Sequence, residues 1–179
     1  MPKPDKSKEA GQAPRNESAY LSADERRAKG KALRDAAPRA SHEGWKPPKA
    51  RRDPVEIVSE SNVGRLPDLV PIRFGRMSAS PFAFFRGSAA LMAADLAKTA
   101  TSGIRVQACG DAHLMNFGSY ATPERNQVFD LNDFDETHPG PWEWDLKRLV
   151  ASFNIAARHL GFKASAADEV VRNAVDSYA

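Results

Sequence analysis

The sequence predicts an α+β protein, mostly helical, with a short β-hairpin set among the helices. Three observations carry this prediction. Phe82, Phe85, Ala89, Met92 and Leu96, and later Trp142, Leu146, Leu149, Val150, Phe153, Ala157 and Leu160, recur at helical steps. Strand-type alternation is confined to residues 104–109. Two short apolar pieces, residues 117–120 and 127–131, flank the polar turn Thr122-Pro123-Glu124-Arg125-Asn126, as in a hairpin. With 41% hydrophobic and 27% charged residues in a chain of 179, and 13 prolines, the composition supports one packed core plus a less ordered portion. It excludes collagen-like, disulfide-rich and fully disordered classes.

The elements follow in order. Residues 1–20 are polar and aperiodic, and are expected to be disordered. Ser22 followed by Glu25 forms a capping box, predicting a helix to about Ala36 with a thin apolar face. Residues 38–53 form an extended connector. Asp53-Pro54-Val55-Glu56 then places an N-cap carboxylate before a proline suited to the first helical turn, predicting a short helix that ends near Gly64. Residues 65–80 look irregular, and Ser80-Pro81 opens one helix running through Leu96. After the strand and the hairpin, Gly140-Pro141 starts the longest helix, whose stripe predicts core and which closes at Gly161. Ser165 and Asp168 open a last helix.

Charge divides the chain. Residues 1–53 hold 14 Lys/Arg against 8 Asp/Glu, while the remaining 126 hold 12 against 15, giving +6 and −3 for a net +3. The basic arm has only Tyr20 and Trp45 as aromatic residues, too few for a stacking surface, so no nucleic-acid partner is expected. The single cysteine, Cys109, and the lack of a long apolar run point to a cytoplasmic protein with no membrane partner.

The chemistry concentrates in Gly110-Asp111-Ala112-His113-Leu114-Met115-Asn116 and Asn132-Asp133-Phe134-Asp135-Glu136. Asp111 can accept a hydrogen bond or proton from a hydroxyl, and Asn116 offers a neutral oxygen suited to a hard cation. Asp133 and Asp135 share a face on a strand, or chelate from a loop. Between residues 130 and 145 there are six acids and no Lys or Arg. Such a run is either solvated or given a cation, and its pairing with Asp111 and Asn116 across a hairpin makes a magnesium site the economical reading. Arg73, Arg76 and Arg86 can grip phosphates with bidentate forks, or pair with the acidic loop; the sequence favours the pairing.

These motifs carry a resemblance. Gly110-Asp111-Ala112-His113, Asn132-Asp133-Phe134-Asp135 and Trp144-Asp145-Leu146 look like the catalytic segment of aminoglycoside and choline phosphotransferases, in the protein-kinase-like superfamily. More closely, residues 45–160 resemble the bacterial family catalogued as domain of unknown function 2252, through Arg73-Phe74-Gly75-Arg76-Met77, Ser80-Pro81-Phe82-Ala83-Phe84-Phe85-Arg86-Gly87 and Phe129-Asp130-Leu131-Asn132-Asp133-Phe134-Asp135-Glu136-Thr137. The resemblance implies a partial protein-kinase-like fold: a basic arm over residues 1–53, then the N-terminal part of a kinase-like domain over 54–179. It implies ATP and Mg²⁺ as cofactors, and a nucleotide and an unknown hydroxyl acceptor as partners. Asp111 would orient or deprotonate the acceptor, Asn116, Asp133 and Asp135 would face magnesium, and His113 and Asp145 would support the loop.

Two departures stand out. Cys109 replaces the usual histidine before Gly-Asp, and Leu114-Met115 replaces Pro-Gly. The isolated glycines Gly64, Gly75, Gly87 and Gly103 form no phosphate-cradling loop, so the resemblance implies half a nucleotide site here and an inactive fragment on its own. Two rival functions stay open. One is a non-catalytic, degenerate kinase-like module. The other is a metal-dependent phosphoesterase, suggested by Asp111-Ala112-His113 but lacking the later Gly-Asp and Gly-Asn-His elements.

Overall fold

The computed structural model describes residues 21–178; the expected disorder of 1–20 lies outside them. Among the described residues, seven α-helices and four strands form a mixed α and β architecture. Helix α1 (Ala23–Ala36) starts with the full capping box, Ser22 and Glu25 satisfying each other's backbone N–H groups. It is exposed apart from half-buried Leu33; Ala37 at its C-cap is buried. Helix α2 (Pro54–Glu60) is capped by Asp53, which accepts from the Val55 N–H at 2.8 Å. Between them the connector is anchored where Arg51 grips Asp95 through two 2.8 Å hydrogen bonds.

Two expectations for the middle of the chain need correction. Residues 65–80 are not irregular: they contain helix α3 (Val70–Met77). The single helix expected through Leu96 is two, α4 (Pro81–Arg86) and α5 (Ala89–Leu96), because the chain breaks at Gly87-Ser88. At Gly87 a Cβ would lie 2.6 Å from the Met77 side chain, so α4 and α3 meet where only a hydrogen fits. Ile57, Val58, Met77 and Leu91, with Phe74 against them, form the apolar cluster joining α2, α3 and α5.

The strands form two antiparallel pairs, one nested inside the other. β2 (Phe117–Ala121) and β3 (Gln127–Leu131) make the expected hairpin. β1 (Arg105–Ala108) pairs with β4 (His138–Pro141), whose last two residues, Gly140 and Pro141, were expected to open a helix. The helix begins one residue later, as α6 (Trp142–His159), and α7 (Ala164–Tyr178) packs back against it, with Trp142 and Tyr178 stacked at 5.9 Å.

The apolar stripe of α6 is not its buried face. Trp142, Leu146, Leu149, Val150 and Phe153 are half-buried, Leu160 is 72% exposed, and only Ala157 of the stripe is buried. The deepest residues are Glu143, Arg148 and Ser152, between 0% and 3% exposed. Polar groups take that face because α6 packs against backbone whose donors and acceptors need partners.

Candidate functional site

Nesting one strand pair inside the other sets two loops side by side. Residues 109–116 link β1 to β2, and residues 132–137 link β3 to β4. The loops are stitched together where the Asn132 N–H donates to the Asn116 carbonyl at 2.9 Å, and the Thr137 hydroxyl donates to the Ala108 carbonyl at 2.8 Å. Gly110 has φ +83°, and a Cβ there would lie 2.2 Å from the Glu136 carbonyl oxygen. Glycine therefore allows both the left-handed turn and the contact between loops.

The polar face of α6 holds the first loop. Asp145 accepts from the Cys109 and Gly110 N–H groups at 2.7 and 3.0 Å, from within the first turn of the helix. Ser152 accepts from the Leu114 N–H at 2.9 Å. Arg148 donates through Nε to Asp111 Oδ1 at 2.6 Å and through Nη2 to the Phe85 carbonyl at 2.8 Å, and it lies 4.4 Å over the Phe85 ring. Both members of the Arg148–Asp111 pair are buried. The sequence reading missed Arg148, Glu143 and Ser152. The available signal was an arginine placed among Leu146, Leu149 and Val150, where a solvent-facing charge does not belong.

Within the loop, the Asn116 side chain donates to the Asp111 carbonyl at 2.8 Å, which leaves its own oxygen free. His113 is buried and accepts the Met115 N–H on Nδ1 at 3.1 Å, while its Nε2 lies 3.7 Å from Asp111 Oδ2. Burial, offset in part by Asp111, holds the imidazole below its usual pKa, so it is a neutral ring accepting on Nδ1. Burial also pushes the Cys109 thiol up to about 11, which makes it a poor nucleophile.

Asp111, His113, Asn116 and Asp133 line one cleft of about 510 Å³ together with Arg65, Arg73, Arg76 and Arg86. Asp135 lies in an adjoining cleft of about 440 Å³ with Glu136, Arg65, Arg73 and Arg86. Asp145 stands behind the loop, bonded to its backbone. The expected pairing of the arginines with the acidic loop does not occur: among the described residues, Arg73, Arg76 and Arg86 have no carboxylate within 4.0 Å. Arg73 is instead fixed by neutral acceptors, Asn62 Oδ1 at 2.8 Å and the Gly87 carbonyl at 2.5 Å. Burial and nearby Arg65 lower its pKa from the ordinary guanidinium value.

Among the described residues, no three His, Cys, Asp or Glu side chains converge on one point. Asp111 is engaged by Arg148. The oxygens left for a divalent ion are those of Asn116 and Asp133, a set that fits a cation completing its shell with water and phosphate. The histidines that follow His113 do not line this cleft: His138 faces the Glu136 carbonyl at 3.0 Å and His159 is exposed near the end of α6.

Glu136 yields a pH prediction. Partial burial, and then Asp111, Asp133 and Asp135, raise its pKa above the usual carboxylate value. A raised carboxyl pKa destabilises the fold where the group is ionised, and the penalty vanishes at low pH where it is protonated in both states. Glu136→Gln is therefore expected to unfold at higher urea than wild type at pH 7.5, with the gap closing as pH falls through the carboxylate range. A gap that is constant or widens towards acid rules this assignment out.

The fold is thus a mixed α and β one, with a cleft lined by two loops and by helices α3 and α4. The chain belongs to the family described as "Uncharacterized protein conserved in bacteria (DUF2252)", whose model matches residues 65–179. Neither a curated protein nor a solved structure shows significant similarity to it. No helix among the described residues is long and apolar enough to cross a membrane.

Proposed function

We propose that the protein is a magnesium- and ATP-dependent phosphotransferase acting on a hydroxyl acceptor, with a kinase-like catalytic loop at residues 110–116. The observation that carries this reading is the convergence of Asp111, Asn116 and Asp133, from two separate loops, on one cleft. Phosphoryl transfer needs alignment and charge neutralisation more than covalent help, and these residue types supply both. Asn116 and Asp133 would hold magnesium, which, when bound, neutralises developing phosphate charge; Asp135 in the adjoining cleft would reach it only through water.

The Arg148 clamp refines the role of Asp111. Arg148 occupies Oδ1 of Asp111, so Oδ2 is the oxygen left to orient the acceptor hydroxyl. The same clamp favours a second reading, in which the module binds nucleotide without turning it over.

The test is transfer of labelled γ-phosphate from Mg-ATP by the whole gene product, against Asp133→Asn and Asp111→Asn. The wild type is expected to label an acceptor, or release phosphate to water. Both variants are expected to lose at least about 100-fold, in line with removal of groups that align the transferring phosphoryl. Asp133→Asn, at an exposed residue, is expected to keep wild-type stability, so it carries the test, whereas Asp111→Asn also unpairs buried Arg148. Nucleotide binding without transfer supports the second reading, and equal turnover in all three proteins excludes the first.

A further inference from the structure

We propose that Arg65, Arg73, Arg76 and Arg86 form a metal-independent anion subsite that takes the terminal phosphate group of a substrate. Four guanidinium groups line the cleft against two carboxylates, Asp111 and Asp133, and Asp111 is already paired with Arg148. Arg65, Arg73 and Arg86 also line the adjoining cleft, where Asp135 and Glu136 balance part of their charge, so the excess of positive charge lies in the first cleft. None of the four has a carboxylate within 4.0 Å among the described residues. Guanidinium groups gathered in one cleft without an ion pair repel, and a bound anion relieves that repulsion.

The arrangement of donors indicates which anion. Arg73 is half-buried and held in place by Asn62, Ser61 and the Gly87 carbonyl, neutral groups that fix its direction without compensating its charge. Arg65 is steadied by its Nε bond to the Ser61 carbonyl at 3.2 Å. Arg76 and Arg86 are exposed and, among the described residues, make no side-chain hydrogen bond, so their forks are free to close on a ligand. A carboxylate is saturated by one or two such forks. A phosphate dianion, with three terminal oxygens, accepts from three or four. Such a phosphate belongs either to the tail of a nucleotide or to an acceptor that is itself phosphorylated. Which of the two it is rests on the phosphotransferase reading, but the subsite does not.

The test is calorimetric titration of the whole chain with inorganic tripolyphosphate, in EDTA and at low ionic strength. Saturable binding at one site is expected, weakening with added salt as exposed charge interactions do. The double variant R76Q/R86Q, whose side chains carry no internal contact, is expected to bind at least tenfold more weakly. Arg172→Gln, at an exposed position of α7, is expected to bind as wild type, and Asp133→Asn is expected to bind as well or better. No saturable binding, an unchanged R76Q/R86Q, or an equal loss in Arg172→Gln would each overturn the proposal. Competition separates the sources: displacement of bound glycerol 3-phosphate by Mg-ADP places the subsite on the nucleotide tail, and co-binding places it on the acceptor. Arginine-dependent tripolyphosphate binding in a protein that transfers no phosphate defeats the catalytic reading and leaves the subsite standing.

Discussion

Arg148→Met is expected to lower the stability of the protein by about 3–5 kcal/mol, because removing one partner of a buried ion pair strands the other. Arg148 ties Asp111 to the Phe85 carbonyl and lies over the Phe85 ring, so a single side chain holds the loop after β1, helix α4 and helix α6 together. Methionine fills most of the volume but leaves the Asp111 carboxylate buried without a donor. The double variant Asp111→Asn/Arg148→Met should recover at least half of the loss, since a neutral amide needs less compensation. Urea denaturation of the three proteins gives the comparison. An Arg148→Met midpoint close to wild type, or a double variant less stable than the single, would show that the pair does not organise the loop.

Gly110→Ala is expected to be the most damaging substitution of a glycine. Two costs add. Alanine at φ +83° loses about 1–2 kcal/mol to the left-handed conformation. Its Cβ would also stand 2.2 Å from the Glu136 carbonyl, a backbone atom that cannot swing aside, so the loop over residues 132–137 must move as a whole. Gly64→Ala provides the control: its φ is +85°, but nothing lies within 4 Å of the added carbon. The difference between the two variants in urea measures the contact between loops apart from the backbone term, and a total for Gly110→Ala of at least about 3 kcal/mol is expected. Equal losses at both positions would mean that the loops do not meet as described.

What was legible in the sequence was local. The Ser22–Glu25 capping box and the Asp53-Pro54 start are signals written within four residues, and both helices begin where those signals lie. The hairpin of β2 and β3 was legible for the same reason. Strand β4 was not: His138-Pro139-Gly140-Pro141 has two prolines and a glycine, and it is a strand only because β1 pairs with it from about thirty residues away. Helix α3 was obscured by Pro71 and Gly75, and the break at Gly87 by an apolar stripe that runs across it. Periodicity misled on α6 because it weighs only apolar residues, whereas the buried face there serves the polar backbone of a loop. The identities of the candidate site residues were legible as residue types; that Asp111 is clamped by Arg148, and that the arginines stand apart from the acidic loop, depends on contacts no local pattern encodes.

The nested strand pairs also set the order in which the cleft can assemble. The inner hairpin closes a short turn and can form early. Once it has, the outer pair need only span residues 109–116 and 132–137 rather than the whole stretch between Ala108 and His138. Halving the effective length of that closure saves about 0.6 kcal/mol of chain entropy. Zipping of the outer ladder then brings Asp111, Asn116 and Asp133 into place in a single concerted event, so anything that grips them together also resists fraying of β1 from β4. Slowed amide exchange along that ladder would report occupancy of the cleft even when no chemistry follows.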